Sequence, residues 1–331
     1  MQVAEAYFFH DYVCDFWDLT KQMGITDAVI PLTSLMEGPA WGVENLSKVK
    51  QMYENEGLRV TVIENMPPSN KIKLGLPGRD EEIEYFKTLI RSMGLLGIPV
   101  LCYNFMAEIG WFRTSMNMPT RGGALVSGYS RQAMEALPLT EYGHVSEEQM
   151  WDNLKYFLER IVPVAEEAKV KLALHPDDPP VTPLRGISRI IRGAEGLQRA
   201  IDLVPSPYSG ITFCQGTLAT AGEDIPSAIR QFGKQDKIFF VHFRDVAGTS
   251  DNFYETFHDD GKTDMLEAMK TYYEVGFNGP VRADHVPTMA GEPNHYPGYE
   301  IMGRLFGNGY MIGLMEAAGY KREKSHVQTV K

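Results

Sequence analysis

His175, Cys214, His242 and Asp284 carry donor atoms suited to a metal ion, and they follow one another at separations of 39, 28 and 42 residues. Structural zinc sites draw ligands from close pairs of the C-x₂₋₄-C or H-x₃₋₅-H kind, and this spacing is not of that kind. It matches instead about one strand-plus-helix unit per step, so each ligand falls at the end of a different strand. Two imidazoles, a thiolate and a carboxylate suit a borderline divalent ion such as Mn²⁺, Fe²⁺, Co²⁺ or Zn²⁺. Mg²⁺ and Ca²⁺ prefer oxygen cages. Taken singly, each residue has a plainer explanation: a hydrogen-bonded strand-end histidine, a small buried cysteine, an aspartate capping the next helix. Their succession on consecutive strand ends is what points to a metal.

The stretch "KLALHPDDPP" (171–180) ends a strand on His175 and follows it with three prolines. Pro176, Pro179 and Pro180 restrict the turn behind a ligand that must stand with little freedom. Asp177 or Asp178 then orients the histidine or binds a hydroxyl of a ligand, or both acids simply cap the turn. Other groups gather on the same side. His285 follows Asp284 directly, and alternation along a strand directs it away from the ligand. His258 stands in "ETFHDDGKTDM" with Asp259 and Asp260; the bland reading is a solvated acidic turn. Arg244 lies two residues past His242, and Arg113, Arg121 and Arg131 lie in one long connection. An arginine there can clamp a carboxylate through two parallel bonds, although most arginines face water. Glu64 and Asn104 also end strands, and Asn104 is a candidate for substrate contact. Tyr299 is either a packing aromatic or a phenol that moves a proton.

These residues need elements to hold them. A helix, a glycine and a short apolar strand recur in "QMGITDAVI", "NEGLRVTVI", "LLGIPVLCY" and "EVGFNGPVRA". Gly24, Gly57, Gly97 and Gly276 sit where a helix requires a left-handed cap. The following strands are almost continuously apolar, as in parallel strands buried on both faces. The helices read by period: Val43, Leu46, Val49 and Met52/Tyr53; Ile83, Phe86, Leu89/Ile90 and Met93; then Met150, Leu154, Phe157/Leu158, Ile161 and Ala165. Ser146 and Gln149 read as a capping box for the last, with Pro163 bending or ending it.

Strands are expected near 5–9, 25–31, 58–64, 98–104, 170–175, 209–214, 237–243 and 279–284. Eight strands alternating with helices predict one α/β domain over 1–331, a (β/α)₈ (TIM) barrel. A doubly wound open sheet is the rival, but no glycine-rich nucleotide loop follows the first strand. The connection from 105 to 145, after strand 4, is too long for a plain turn and reads as a lid or active-site loop. The polar tail "YKREKSHVQTVK" reads as frayed.

Of 331 residues 44% are apolar, enough for a sizeable core, and the net charge is −11. That acidity argues against nucleic acid or an anionic membrane as partner. No apolar run reaches the roughly 20 residues that span a bilayer, and the N-terminal stretch lacks the pattern of a signal peptide. Three scattered cysteines, Cys14, Cys102 and Cys214, form no disulfide framework, which suits the cytoplasm.

With those residues in view, the chain resembles the mannonate dehydratase family, related to xylose isomerase-like barrels. The matching segments run through most of the chain: "IKLG", "VLCYNFM", "WFRT", "KLALHPDDPP", "GITFCQGTL", "FVHFRDV", "FHDDG", "DH" and "PGY". The resemblance implies a (β/α)₈ lyase that dehydrates D-mannonate, or a close aldonate, to 2-keto-3-deoxy-D-gluconate in hexuronate breakdown. It implies metal ligation by His175, Cys214, His242 and Asp284, with Mn²⁺ or Fe²⁺ expected. It implies proton transfer by His285 and Tyr299, with His258 in reserve. Asn104, Arg113, Asp177 and Arg244 are the expected substrate contacts. The partner is a small sugar acid, and a homo-oligomer, dimer or tetramer, is expected. Gln215 stands where the family commonly has Thr, Val286-Pro287 where it has Gly, and "HFRD" where it has "HLRN"; these changes bear on substrate identity. The alternatives are a metal-dependent sugar isomerase or epimerase, which Cys214 disfavours, an endonuclease of related fold, which the charge disfavours, and a non-catalytic metal-binding barrel.

Overall fold

In the computed structural model, residues 1–321 are described, and most of the polar tail lies outside them. Eight parallel strands close into a barrel: β1 (Gln2–Ala6), β2 (Asp27–Ile30), β3 (Arg59–Glu64), β4 (Val100–Asn104), β7 (Lys171–His175), β8 (Ser209–Cys214), β9 (Ile238–Phe243) and β12 (Pro280–Ala283). Each pairs with its neighbour in chain order, and β12 returns to β1 through Gln2 opposite Pro280 and Val3 opposite Val281.

The first strand lies three residues earlier than the apolar run suggests. The interior parity explains why. Ala4 and Ala6 fill the barrel lumen with Val29, Val62, Val100, Cys102, Ala173 and Phe240. Small residues on β1 and β7 leave room for the Phe240 ring, as packing at interior density requires. Phe8 continues the same parity past the strand end and lines the barrel mouth.

The glycine-capped helices follow the apolar stripes. Gly24, Gly57, Gly97 and Gly276 all take φ between +70° and +77°. In the helix Glu147–Ala168 the Ser146 hydroxyl accepts from Gln149 N at 3.2 Å, half of a capping box. The other half is absent: the Gln149 amide donates to Leu74 O instead. Pro163 does not end this helix, which runs five residues beyond it. The last helix, Ile301–Ala318, is tied to β1 by Arg304, whose Nη2 donates to Glu5 Oε1 at 2.8 Å, and by Asn308, which reaches the same carboxylate.

The 105–145 connection is not an irregular loop. It contains β5 (Ser115–Pro119) and β6 (Leu125–Ser130), an antiparallel hairpin. A second hairpin follows β9: β10 (Val246–Thr249) and β11 (Asn252–Glu255). The two join through β11 and β6 into a four-stranded sheet. The sequence signal is weak because β5 is half-exposed and "SMNMP" has no strand alternation; pairing to β6 is what makes it a strand. No helix among the described residues is long and apolar enough to cross a membrane.

Candidate active site at the barrel mouth

Side chains alternate along a strand, so residues two apart share a face. Val62 and Cys102 face the lumen, and the next positions on that face are Glu64 and Asn104. The same step takes Ala173 to His175, Thr212 to Cys214 and Phe240 to His242. On β12 it takes Arg282 to Asp284, just past the strand. These residues, apart from the buried Cys214, line a cavity of about 470 Å³ with Phe8, Phe9, Trp111, Asp178, His285, Tyr296 and Tyr299 among others.

His175, Cys214 and His242 bring one ligand atom each to within 4.8 Å of the others. His175 Nδ1 lies 2.6 Å from Pro176 O, a bond that only an Nδ1–H can donate. Nε2 therefore carries the lone pair, and it faces His242 Nδ1 at 3.1 Å. Burial lowers the pKa of His175, favouring the neutral ring a metal requires. On the far side of His242, Nε2 is 3.1 Å from Glu64 Oε1 but off the axis of a hydrogen bond. Cys214 Sγ is 3.1 Å from the Thr217 hydroxyl. Asp284 stands at the rim of the trio, with Oδ2 3.6 Å from His242 Nδ1. Its other oxygen accepts from Arg282 Nη1 at 2.7 Å and from the Tyr299 hydroxyl at 3.0 Å. Burial opposes the Asp284 charge, but Arg282, His285, His242 and Arg244 outweigh it and hold the group ionised. Two nitrogens and a sulfur converge here, with a carboxylate oxygen at the rim. Such a donor set fits a borderline divalent ion. Glu64, Cys102 and His242 form a second, overlapping trio, but Arg282 holds the Glu64 carboxylate through Nε at 2.9 Å and Nη2 at 2.7 Å. Burial resists the Glu64 charge; Arg282 and His242 override it and set its pKa at about 2.

The proton-transfer candidates separate. His285 takes φ +43°, so alternation does not continue past Asp284 and the ring swings back to the mouth, contrary to the strand-parity expectation. It packs edge-on against Trp111 and Tyr299. Its Nδ1 is 3.1 Å from Glu255 Oε1 and in contact with Arg244 Nη1. Tyr299 lines the cavity, and burial together with the Asp284 charge raises its pKa well above the usual phenol value. His258 is fully buried away from the cavity. Its Nε2 donates to Phe243 O at 2.7 Å, and the helix Ile301–Ala318 crosses it at Gly307, where an added Cβ would lie 3.0 Å from its Cε1.

The expected substrate contacts also divide. Asn104 lines the cavity. Asp177 turns away: its Oδ2 accepts from Ile191 N at 2.7 Å. Asp178 takes the position at the mouth instead. Its carboxylate joins Arg113, at 2.5 and 2.9 Å, to Arg244 at 2.7 Å. Arg113 and Arg244 meet again on Glu255 Oε1, at 2.6 and 2.5 Å. All four are essentially inaccessible to solvent, so neither arginine is free to clamp a ligand. Arg121 and Arg131 pair at the surface with Asp259 and Asp251. Two important residues escaped the sequence reading. Arg282 had a signal: a lone charge in the strand "PVRA", two places before Asp284 and hence on its face. Glu255 had none, because its place depends on how the two hairpins pair.

A family model described as D-mannonate dehydratase (UxuA) matches residues 7–325. A mannonate dehydratase of Thermotoga petrophila is 37% identical over 329 residues, covering 89% of this chain and 91% of its own. One from Streptococcus pneumoniae is 36% identical over 321 residues, covering 89% and 87%. Among solved structures, mannonate dehydratase from Streptococcus suis serotype 2 superposes with a TM-score of 0.89 at 34% identity, covering 96% of this chain and 95% of that one. D-Psicose 3-epimerase from Clostridium cellulolyticum H10, with a TM-score of 0.59 at 16% identity and 96% coverage of both, shares the fold alone.

Proposed function

The chain belongs to the mannonate dehydratase family, and from that premise we propose that it is a hydro-lyase that takes water from D-mannonate to give 2-keto-3-deoxy-D-gluconate. The observation that carries the reading is the convergence of His175, Cys214 and His242, with Asp284 beside them, next to a histidine and a tyrosine on one cavity wall. The isomerase or epimerase alternative has only distant fold relatives behind it.

The reaction removes a weakly acidic proton from C2, breaks the C3–O bond and leaves an enol that becomes the ketone. When bound by His175, Cys214, His242 and Asp284, a divalent ion supplies Lewis-acid stabilisation of the charge that grows on the substrate's carboxylate and 2-hydroxyl oxygens. Mn²⁺ and Fe²⁺ suit this mixed donor set. The hydrogen bonds support one division of the proton roles. Tyr299 donates to Asp284 and keeps its proton at neutral pH, so it is the acid that protonates the leaving 3-hydroxyl. His285 has Nδ1 against Glu255, which leaves Nε2 toward the cavity to take the C2 proton. Asn104 offers its amide to the substrate from the neighbouring strand end. Asp178 holds Arg113 and Arg244 in place behind the site. Three free thiols fit a reducing, cytoplasmic setting.

The test is keto-acid formation by metal-loaded protein from D-mannonate, with D-gluconate and related aldonates alongside. Formation from D-mannonate at the highest kcat/KM of the set is expected. Failure to form it from D-mannonate would exclude this reaction.

A further inference from the structure

Among the described residues, Lys73 is the cation beside the mouth that no carboxylate holds. It lies in the short helix Asn70–Leu74, only 7% exposed, with no acid at ion-pair distance among the described residues. Its Nζ donates to Asn104 Oδ1 at 3.1 Å and to Met106 O at 3.2 Å. Asn104 Oδ1 also accepts from Met106 N at 3.1 Å. An ammonium and a backbone N–H can only donate, so the atom they share must be the amide oxygen, and the flip of the Asn104 amide is thereby decided. Its Nδ2 has no protein acceptor among the described residues, and Asn104 lines the cavity directly beside His175 in the strand register.

The backbone that carries Lys73 is itself pinned. Ile72 N donates to Glu82 Oε2 at 3.0 Å, and Asn153 Nδ2 donates to Lys73 O at 3.0 Å. Gly75 closes the helix at φ +70°, where an added Cβ would stand 2.6 Å from Asn153 Oδ1. Around the mouth, Arg113, Arg244 and Arg282 are each bonded to carboxylates. Lys73 has no such partner at ion-pair distance among the described residues, and its bond to Oδ1 fixes the Asn104 amide with Nδ2 free to donate.

Building on the aldonate reading above, we infer that Lys73 positions the Asn104 amide as a donor to the substrate carboxylate, so that the pair selects aldonates over neutral polyols. Lys73 is a positioning residue and Asn104 makes the contact. The buried amine is held by two acceptors that cannot carry charge, an arrangement a purely packing residue such as methionine would fill at lower desolvation penalty.

The test is calorimetric binding to the metal-loaded full chain in a Tyr299→Phe background that stalls turnover, with D-mannonate, D-gluconate and the neutral D-mannitol as ligands. Lys73→Met and Asn104→Ala should each weaken aldonate binding about tenfold or more, the scale of one hydrogen bond to a charged group. D-Mannitol binding should change by less than about twofold. The double variant should bind aldonate no more weakly than Asn104→Ala alone, because Lys73 acts through Asn104. Unchanged aldonate binding, equal losses for D-mannitol, or losses that multiply in the double variant would each overturn the inference. So would loss of metal content in both single variants, which would assign the pair to the metal site. Failure of the unaltered enzyme to form a keto acid from D-mannonate sinks the dehydratase reading alone, since aldonate binding is read separately.

Discussion

His175 Nε2 and His242 Nδ1 face each other across 3.1 Å at the open end of the barrel. Behind them, His175 Nδ1 donates to the Pro176 carbonyl, and His242 Nε2 lies 3.1 Å from the Glu64 carboxylate without hydrogen-bond alignment. The facing nitrogens of both rings are thereby left toward a common point. Two imidazole nitrogens this close suit a shared cation.

Replacing His175 with Ala should therefore abolish metal retention and turnover while the barrel stays folded. Metal analysis after dialysis and a thermal melt check this. A variant with full metal content would contradict the assignment.

On the proposed ligand set, Glu64 would act on the metal through His242, whose Nε2 it faces at 3.1 Å. Glu64→Gln should lower metal affinity by about 10–100-fold, the usual scale for a residue that orients a ligand. The protein should still bind metal at high concentration. Titration against a competing chelator gives the number, and an unchanged affinity would show that Glu64 serves Arg282 alone.

His285→Asn and Tyr299→Phe should each cut kcat by about 10²–10⁴-fold with metal content unaltered. Because Glu255 touches His285 and not the cavity, Glu255→Gln should lower kcat more than it raises KM. Steady-state kinetics on D-mannonate separates these, and an active His285→Asn enzyme would remove that residue from the mechanism.

Lys73 gives a pH signature of stability. Burial lowers its pKa first, and Arg189 adds to this; Asp177 and Glu82 only partly oppose them, leaving it at about 7 against 10.5 for a free side chain. Between those values the unfolded chain binds the extra proton, so stability rises with pH there. At about 1.4 kcal/mol per unit, the wild type should gain a few kcal/mol relative to Lys73→Met from pH 7 to pH 10. Paired melts across that range test it; other groups titrate equally in both proteins, and a flat difference would refute the shift.

Arg113→Ala should destabilise the fold by about 3–5 kcal/mol, because it leaves Asp178 and Glu255 buried without one of their two shared cations. Arg121→Ala, which breaks an exposed pair with Asp259, should change stability by no more than about 1 kcal/mol. Denaturant unfolding of the two variants makes the comparison.

Local chemistry alone determined much of this protein. Left-handed glycines closed the helices, apolar runs made the buried strands, and period-two parity put Glu64, Asn104, His175, Cys214 and His242 at one end of a barrel. Each of these depends on a residue and its near neighbours, so each is written in the chain. The tertiary structure decided what depends on elements far apart in sequence. The pairing of β6 with β11 turned a presumed loop into a sheet and carried Glu255 to His285. The turn at His285 reversed a ring that parity alone directs away. Burial in a common cluster took Arg113 and Arg244 from the substrate and gave them to Asp178 and Glu255. A side chain's type states what it can bind; only the packed fold settles which partner reaches it first.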